Sequence, residues 1–214
     1  MASFGVSVYP DLRPLDEIED YLRRAGRHGA TRVFSSMFSV EGTDEQVVDY
    51  FRRFDRVAHD SGLEVVLDVN VPFLERLGCA PDDVGLFAEI GCDIIRMDGS
   101  YGAEGDLALC RNPHGIRVQL NASSGALREL GYLADHGVGP DRLLLGHNFY
   151  PQRYTGLRWD LFCQTNEALA AYGYPIDAFV SSQESGTHGV WDATQGLPTV
   201  ERLRDYPSDL QARM

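Results

Sequence analysis

Short apolar runs alternate along the chain with segments in which apolar residues recur every three or four positions. The runs are rich in Val, Ile, Leu and Phe and nearly continuous in apolarity, as is typical of strands covered on both faces of a parallel sheet. Seven strands are predicted on this basis, at residues 4–9, 32–38, 64–70, 93–98, 115–122, 143–149 and 176–182.

The segments between these runs have the apolar spacing of amphipathic helices. Pro14 stands near the opening turn of the first predicted helix, and Thr43 and Gln46 fit a capping box at the start of the second. Glycines at the ends of several helical stretches fit the left-handed residue that commonly ends a helix. They are Gly29, Gly62, Gly91 and Gly137.

Strict alternation of strands and helices allows a doubly wound sheet or a (β/α)8 barrel. Polar residues two positions apart, which face the same way, end strand after strand: Asp68 with Asn70, Arg96 with Asp98, and Gln119 with Asn121 and Ser123. In a barrel these positions converge on one mouth, whereas in an open sheet they lie along an edge. The first strand is not followed by the Gly-rich fingerprint of dinucleotide-binding folds. The pattern favours the barrel.

The number of strands is one short of a complete barrel. Only seven are found, and eight units of about 30 residues would need more than the 214 residues present. We therefore expect one α/β domain over residues 1–214, a TIM (β/α)8-type barrel truncated before strand eight.

Composition narrows the range of possible functions. The formal charge of −13 argues against binding to nucleic acid or an anionic membrane surface, and no apolar run is long enough to span a bilayer. All 19 basic residues are arginine, which excludes a lysine Schiff base and the lysine of a P-loop. The four cysteines are widely spaced and are interpreted as reduced thiols of a cytoplasmic protein.

Three acids stand where barrel chemistry occurs: Glu41 after the second strand, Asp68 at the end of the third and Asp98 at the end of the fourth. Glycoside hydrolysis needs a protonated acid and a second carboxylate acting as nucleophile or base. The structural alternative is that Asp68 and Asp98 cap helices or pair with Arg96, and that Glu41 is a solvated loop residue.

Amides and one histidine at the strand ends could bind sugar. Asn70, Asn121 and Asn148 can each donate and accept hydrogen bonds, although local turn bonding is their alternative role. His147 could act as an acid or a phosphate ligand, or be a satisfied core histidine. We expect Asp68, Asn121 and His147 to converge on one pocket.

The loop at residues 147–156 combines aromatic, cationic and amide side chains. Tyr150 and Tyr154 could stack on a sugar ring, and Arg153 could form a fork with a phosphate or carboxylate. Arg96 could bind an anion or form an internal ion pair with Asp98. Residues 181–189 form a small-residue loop after strand seven, where barrels often bind phosphate.

Seven sequence pieces, in the right order, resemble the N-terminal barrel of bacterial 6-phospho-N-acetylmuramidases of the MupG type. They lie at residues 5–10, 32–36, 66–70, 95–98, 120–123, 147–151 with 154–157, and 196–199, and His147-Asn-Phe-Tyr-Pro151 is the most specific of them. The resemblance implies a cytoplasmic glycosidase that releases 6-phospho-N-acetylmuramic acid from N-acetylglucosamine in cell-wall recycling. It also implies a smaller β-rich C-terminal domain, which we do not expect within residues 1–214.

The leading hypothesis is hydrolysis of a 6-phosphorylated amino-sugar disaccharide by Asp68 and Asp98, with Glu41 as the substitute and with no cofactor. Asn70, Asn121, Asn148 and Tyr150 would orient the sugar, and Arg153 and His147 would neutralise its anionic groups. The alternatives are a divalent-metal-dependent sugar-phosphate isomerase or epimerase, and a non-catalytic sugar-phosphate-binding barrel. The sequence leaves open whether the protein is a homo-oligomer.

Overall fold

The computed structural model describes residues 3–10, 13–38, 40–124, 127–182 and 196–214. Its centre is a seven-stranded parallel sheet in which every strand pairs with the next one along the chain. Each strand lies within the range predicted for it: β1 (Gly5–Ser7), β2 (Arg32–Ser36), β3 (Glu64–Val69), β4 (Ile94–Met97), β5 (Arg117–Asn121), β6 (Leu143–Gly146) and β7 (Ile176–Asp177).

Helices connect the strands and cover the outer face of the sheet, and one further short helix follows the last strand. They are α1 (Leu15–Arg27), α2 (Asp44–Asp60), α3 (Val71–Arg76), α4 (Gly85–Ile90), α5 (Ala103–Cys110), α6 (Leu127–Asp135), α7 (Trp159–Ala170) and α8 (Ser208–Gln211). The predicted capping box is confirmed, because the Gln46 N–H donates to Thr43 Oγ1 and the Thr43 N–H donates to Gln46 Oε1. Gly91 ends α4 at φ 107°, where a side chain would be strained.

The sheet is curled, so that residues from its first and last strands meet inside it. Tyr9, just after β1, contacts Phe149, just after β6, with ring centroids 6.0 Å apart. Phe34 of β2 contacts Phe179, just after β7, at 5.2 Å. These rings form a small inner core that is separate from the large core between sheet and helices.

The architecture is therefore that of a TIM-type barrel containing seven parallel strands in the described part of the chain. The barrel prediction, rather than the doubly wound alternative, is confirmed by the sequential strand order and the curl. No helix among the described residues has both the length and the apolar character needed to cross a membrane.

Candidate active site

The inner face of the sheet changes from apolar to polar toward the carboxyl ends of the strands. Val66 of β3 and Ile94 of β4 belong to the inner core. Two residues further along each strand, on the same face, stand Asp68 and Arg96, which are paired in register. Asp68 and Arg96 therefore lie on the inner face near the carboxyl ends of their strands, which is the end of the barrel where enzymes with this fold have their active sites.

Arg96 joins the two candidate acids. Its Nη1 donates to Asp68 Oδ1 at 2.6 Å and lies 3.1 Å from Asp98 Oδ1. Two carboxyl groups thus share one guanidinium nitrogen. The predicted ion pair of Arg96 with Asp98 is present, and it includes Asp68 as well.

The two carboxyl groups lie in different surroundings. The Asp68 side chain is 9% exposed, whereas that of Asp98 is 43% exposed. The pKa of Asp68 is raised to about 6, chiefly by burial and also by the negative charge of Asp98, although the Arg96 charge and hydrogen bond oppose the shift. At neutral pH Asp68 can therefore hold a proton part of the time, beside the more exposed side chain of Asp98.

Amides from the next strands complete this cluster. Asn121, at the end of β5, donates from Nδ2 to Asp98 Oδ1 at 3.3 Å. Arg96 Nη2 donates to Asn148 Oδ1. Asp68, Arg96, Asp98, Asn121 and Asn148 are thus connected in one hydrogen-bonded group, which we call the carboxylate cluster.

His147 lies outside the carboxylate cluster, so the expected convergence of Asp68, Asn121 and His147 holds only for the first two. Its ring is fully buried toward α7, with Nε2 2.9 Å from Asn166 Oδ1 and Nδ1 3.1 Å from Ser123 Oγ. Ser123 Oγ accepts from the Asn148 N–H, so the Ser123 O–H can donate to His147 Nδ1. Burial also lowers the pKa of His147, so the structure places a neutral, satisfied histidine there.

Two other predicted residues occupy the loops that follow β2 and β3. Asn70 is the N-cap of α3, where its Oδ1 accepts from the Phe73 N–H at 2.9 Å. Its oxygen thus makes the local backbone hydrogen bond that was the alternative to sugar binding. Glu41 is exposed in the loop between β2 and α2. Its role as a substitute acid stays a prediction.

The loop after β6 carries the remaining candidates. Arg153 forms the predicted fork, but with a carboxylate of this chain: its Nη1 and Nη2 donate to Asp205 at 3.1 and 2.7 Å. Tyr154 is 89% exposed, and Tyr150 is partly buried. In the loop after β7, residues 183–189 lie outside the described residues.

Sequence reasoning missed two residues that shape this region, Glu201 and Arg204. The Arg204 side chain is buried and pairs with the Glu201 carboxylate. An arginine three residues after a glutamate is also the spacing of an ordinary surface pair, so the pattern did not mark it. Among the described residues, no group of three or more His, Cys, Asp or Glu side chains is arranged to hold a metal ion.

A parallel barrel with polar and titratable residues gathered at its carboxyl end defines a class, the TIM-barrel enzymes. Within that class, the chain belongs to the family described as "6-phospho-N-acetylmuramidase, N-terminal", which it matches over residues 4–214. The resemblance found in the sequence is thereby confirmed. Among curated proteins, no sequence matches the chain significantly.

Solved structures show the same architecture. An uncharacterized B. cereus protein is 31% identical with a TM-score of 0.83, covering 99% of this chain and 56% of that one. A conserved Enterococcus faecalis protein is 25% identical with a TM-score of 0.79, covering 95% and 54%. The chain thus spans just over half the length of both. An O-GlcNAc hydrolase of Thermobaculum terrenum, 12% identical with a TM-score of 0.52 over 86% of this chain and 49% of that one, shares the fold alone.

Proposed function

We propose that this protein is a glycoside hydrolase that cleaves the bond between 6-phospho-N-acetylmuramic acid and N-acetylglucosamine. The observation that carries the proposal is the pair of unlike carboxyl groups on one guanidinium nitrogen of Arg96. The family description names this substrate class, and the carboxylate cluster has the two groups that glycoside hydrolysis requires.

The difference between the two carboxyl groups supports a separate role for each. Asp68, with the raised pKa, is the acid/base, and the solvated Asp98 is the nucleophile. In the first step Asp98 bonds to the anomeric carbon, the glycosidic C–O bond breaks, and the Asp68 proton passes to the leaving oxygen. In the second step water gives a proton to Asp68 and attacks the same carbon, and the bond to Asp98 breaks.

The spacing of the pair supports a double displacement with retention of configuration. Because both Oδ1 atoms contact Arg96 Nη1, at 2.6 and 3.1 Å, they lie within about 6 Å of each other. Retaining enzymes hold their carboxyl groups roughly 5–5.5 Å apart, whereas inverting enzymes leave about 6.5–9.5 Å for a water molecule.

The neighbouring groups would orient the substrate. We assign the amides of Asn121 and Asn148, together with Tyr150, to the sugar hydroxyl and acetamido groups. Arg153 is an exposed cation on the loop after β6 and is assigned to the phosphate, which would displace Asp205 from it. A cytoplasmic role in the recycling of phosphorylated cell-wall disaccharides follows from this substrate.

The test is a hydrolysis assay on the 6-phosphorylated disaccharide, with the unphosphorylated disaccharide as matched control. We expect release of N-acetylglucosamine only from the phosphorylated compound, at a rate that a chelator does not change. Loss of the activity with chelator would favour the metal-dependent alternative. Binding by calorimetric titration without any turnover would favour a sugar-phosphate-binding barrel.

A further inference from the structure

The segment at residues 150–156, here called the rim loop, follows directly on the carboxylate cluster. It begins two residues after Asn148, which accepts from Arg96. A second chain segment supports this start, because the Tyr150 N–H donates to Pro198 O at 3.1 Å and Thr199 Oγ1 donates to Asn148 O at 2.9 Å. The rim loop is therefore attached to the candidate site at its first residues.

A buried arginine forms the interior of the rim loop. The Arg204 side chain is 2% exposed, and its Nη2 donates to Tyr150 O at 2.9 Å and to Gln152 O at 3.0 Å. Its Nη1 donates to Gly196 O at 3.1 Å. One guanidinium thus donates to carbonyl groups of two chain segments and joins them.

Glu201 holds the other side of the same loop. Its carboxylate accepts from Arg204 Nε and Nη2 at 2.9 and 2.6 Å and from the Gly156 N–H at 3.0 Å. These bonds, with a further one from the Tyr154 N–H, lower the pKa of Glu201 to about 2. A Cβ on Gly156 would lie 2.9 Å from the Glu201 backbone nitrogen, so the close approach needs glycine there.

Tyr154 has an unfavourable backbone conformation, and the packing of its side chain does not offset the cost. Its φ is 69°, and it is the only residue other than glycine with positive φ in the described part of the chain. Its side chain is 89% exposed, so the ring gains little from packing. Backbone strain held by surrounding structure often marks a functional position.

We propose that Glu201 and Arg204 are positioning residues that fix the rim loop so that the Tyr154 ring is presented as a stacking face for a pyranose ring of the substrate. This inference rests on the proposed function and adds a sugar-binding element to it. The apolar face of a sugar suits an exposed aromatic ring whose polar end remains in water. Glu201 and Arg204 touch no substrate and act through the loop.

Tyr154→Gly tests the presented ring, because glycine accepts the left-handed backbone and removes the side chain. We expect KM for the 6-phosphorylated disaccharide to rise about tenfold with kcat unchanged, and the melting temperature to be no lower than that of the unchanged protein. Tyr154→Phe keeps the ring and should keep KM within about twofold. Tyr172→Ala, which removes another exposed tyrosine ring, should leave KM unchanged. If Tyr154→Gly folds poorly, Tyr154→Asn must show the same rise in KM.

The positioning role is tested by a double-mutant cycle. Glu201→Ala should raise KM to a similar extent as Tyr154→Gly, and the double variant should show no further rise, because both changes remove the same contact. Glu201→Gln, which keeps an acceptor oxygen, should recover part of the loss. Additive effects on KM, or an unchanged KM in Tyr154→Gly, would overturn the inference. Absence of hydrolysis and binding in the unchanged protein would instead overturn the proposed function.

Discussion

The two ends of the barrel interior both carry charged residues, but the two charge clusters differ in balance. At the carboxyl end, one arginine faces two aspartates. At the amino end, Arg32 and Arg117 face Glu64 and Asp177, so that cations and acids are equal in number. We call this second group the amino-end ring.

Contacts in the amino-end ring are reciprocal. Arg32 pairs with Asp177 at 2.6 Å and with Glu64 at 3.1 Å, and Arg117 pairs with Glu64 at 2.7 Å. Gln119 Nε2 adds a bond to Asp177 at 2.8 Å. Since Arg32 belongs to β2 and Asp177 to β7, the ring ties distant strands of the sheet together.

The comparison relates the charge balance of each cluster to the role that we propose for it, structural at the amino end and catalytic at the carboxyl end. In the amino-end ring two arginines contact two carboxylates, so that the charges are balanced. In the carboxylate cluster one guanidinium serves two carboxyl groups, one of them buried, and the pKa of Asp68 is raised as a result. Proton exchange near neutral pH is therefore expected at the carboxyl end.

The largest expected effect is the loss of turnover when the proposed nucleophile of the carboxylate cluster is replaced. Asp98→Asn should lower kcat for the phosphorylated disaccharide by about a thousandfold or more, because the amide cannot bond to the anomeric carbon. The exposed side chain leaves the fold nearly unaffected, which the melting temperature will check. Turnover near that of the unchanged protein would remove Asp98 from the mechanism.

The pH dependence should follow Asp68. Because the acid form is required and its pKa is raised to about 6, kcat/KM should fall about tenfold per pH unit above pH 6. A pH–rate profile of Asp68→Asn should lack this fall, and its residual activity should be greater on a substrate with a good leaving group. A basic limb that persists in Asp68→Asn would assign the acid to another residue.

The smallest effect is expected for a substitution in the amino-end ring. Asp177→Asn weakens the contacts of Arg32 and Gln119, and because Asp177 is partly exposed we expect a loss of about 1 kcal/mol of unfolding free energy. Thermal unfolding should show a melting temperature lower by about 2–4 °C, while kcat stays unchanged. A large drop in kcat with an unchanged melting temperature would mean that the amino-end ring takes part in catalysis.

The sequence predicted the strands and helices well because the patterns that mark them are local. Apolar runs located all seven strands, and Thr43 with Gln46 located the start of α2. Alternation along the strands also predicted that Asp68, Arg96 and Asp98 meet. It did not predict that His147 lies outside the carboxylate cluster, because the next two residues, Asn148 and Phe149, both reach the barrel interior.

The parts that could not be predicted depend on contacts between distant segments. The amino-end ring joins residues up to 145 positions apart, as Arg32 and Asp177 are. Arg204 contacts carbonyl groups of residues more than 50 positions earlier, and nothing in its local sequence indicates this. The raised pKa of Asp68 likewise depends on burial, which the strand pattern alone does not give.

The most direct test of the unlike carboxyl pair is the anomeric configuration of the first product. Proton NMR during hydrolysis of the 6-phosphorylated disaccharide would show which anomer of 6-phospho-N-acetylmuramic acid forms before mutarotation. We predict the same configuration as in the substrate, because Asp68 and Asp98 are too close to admit an attacking water between them and the sugar. Initial formation of the opposite anomer would contradict the account.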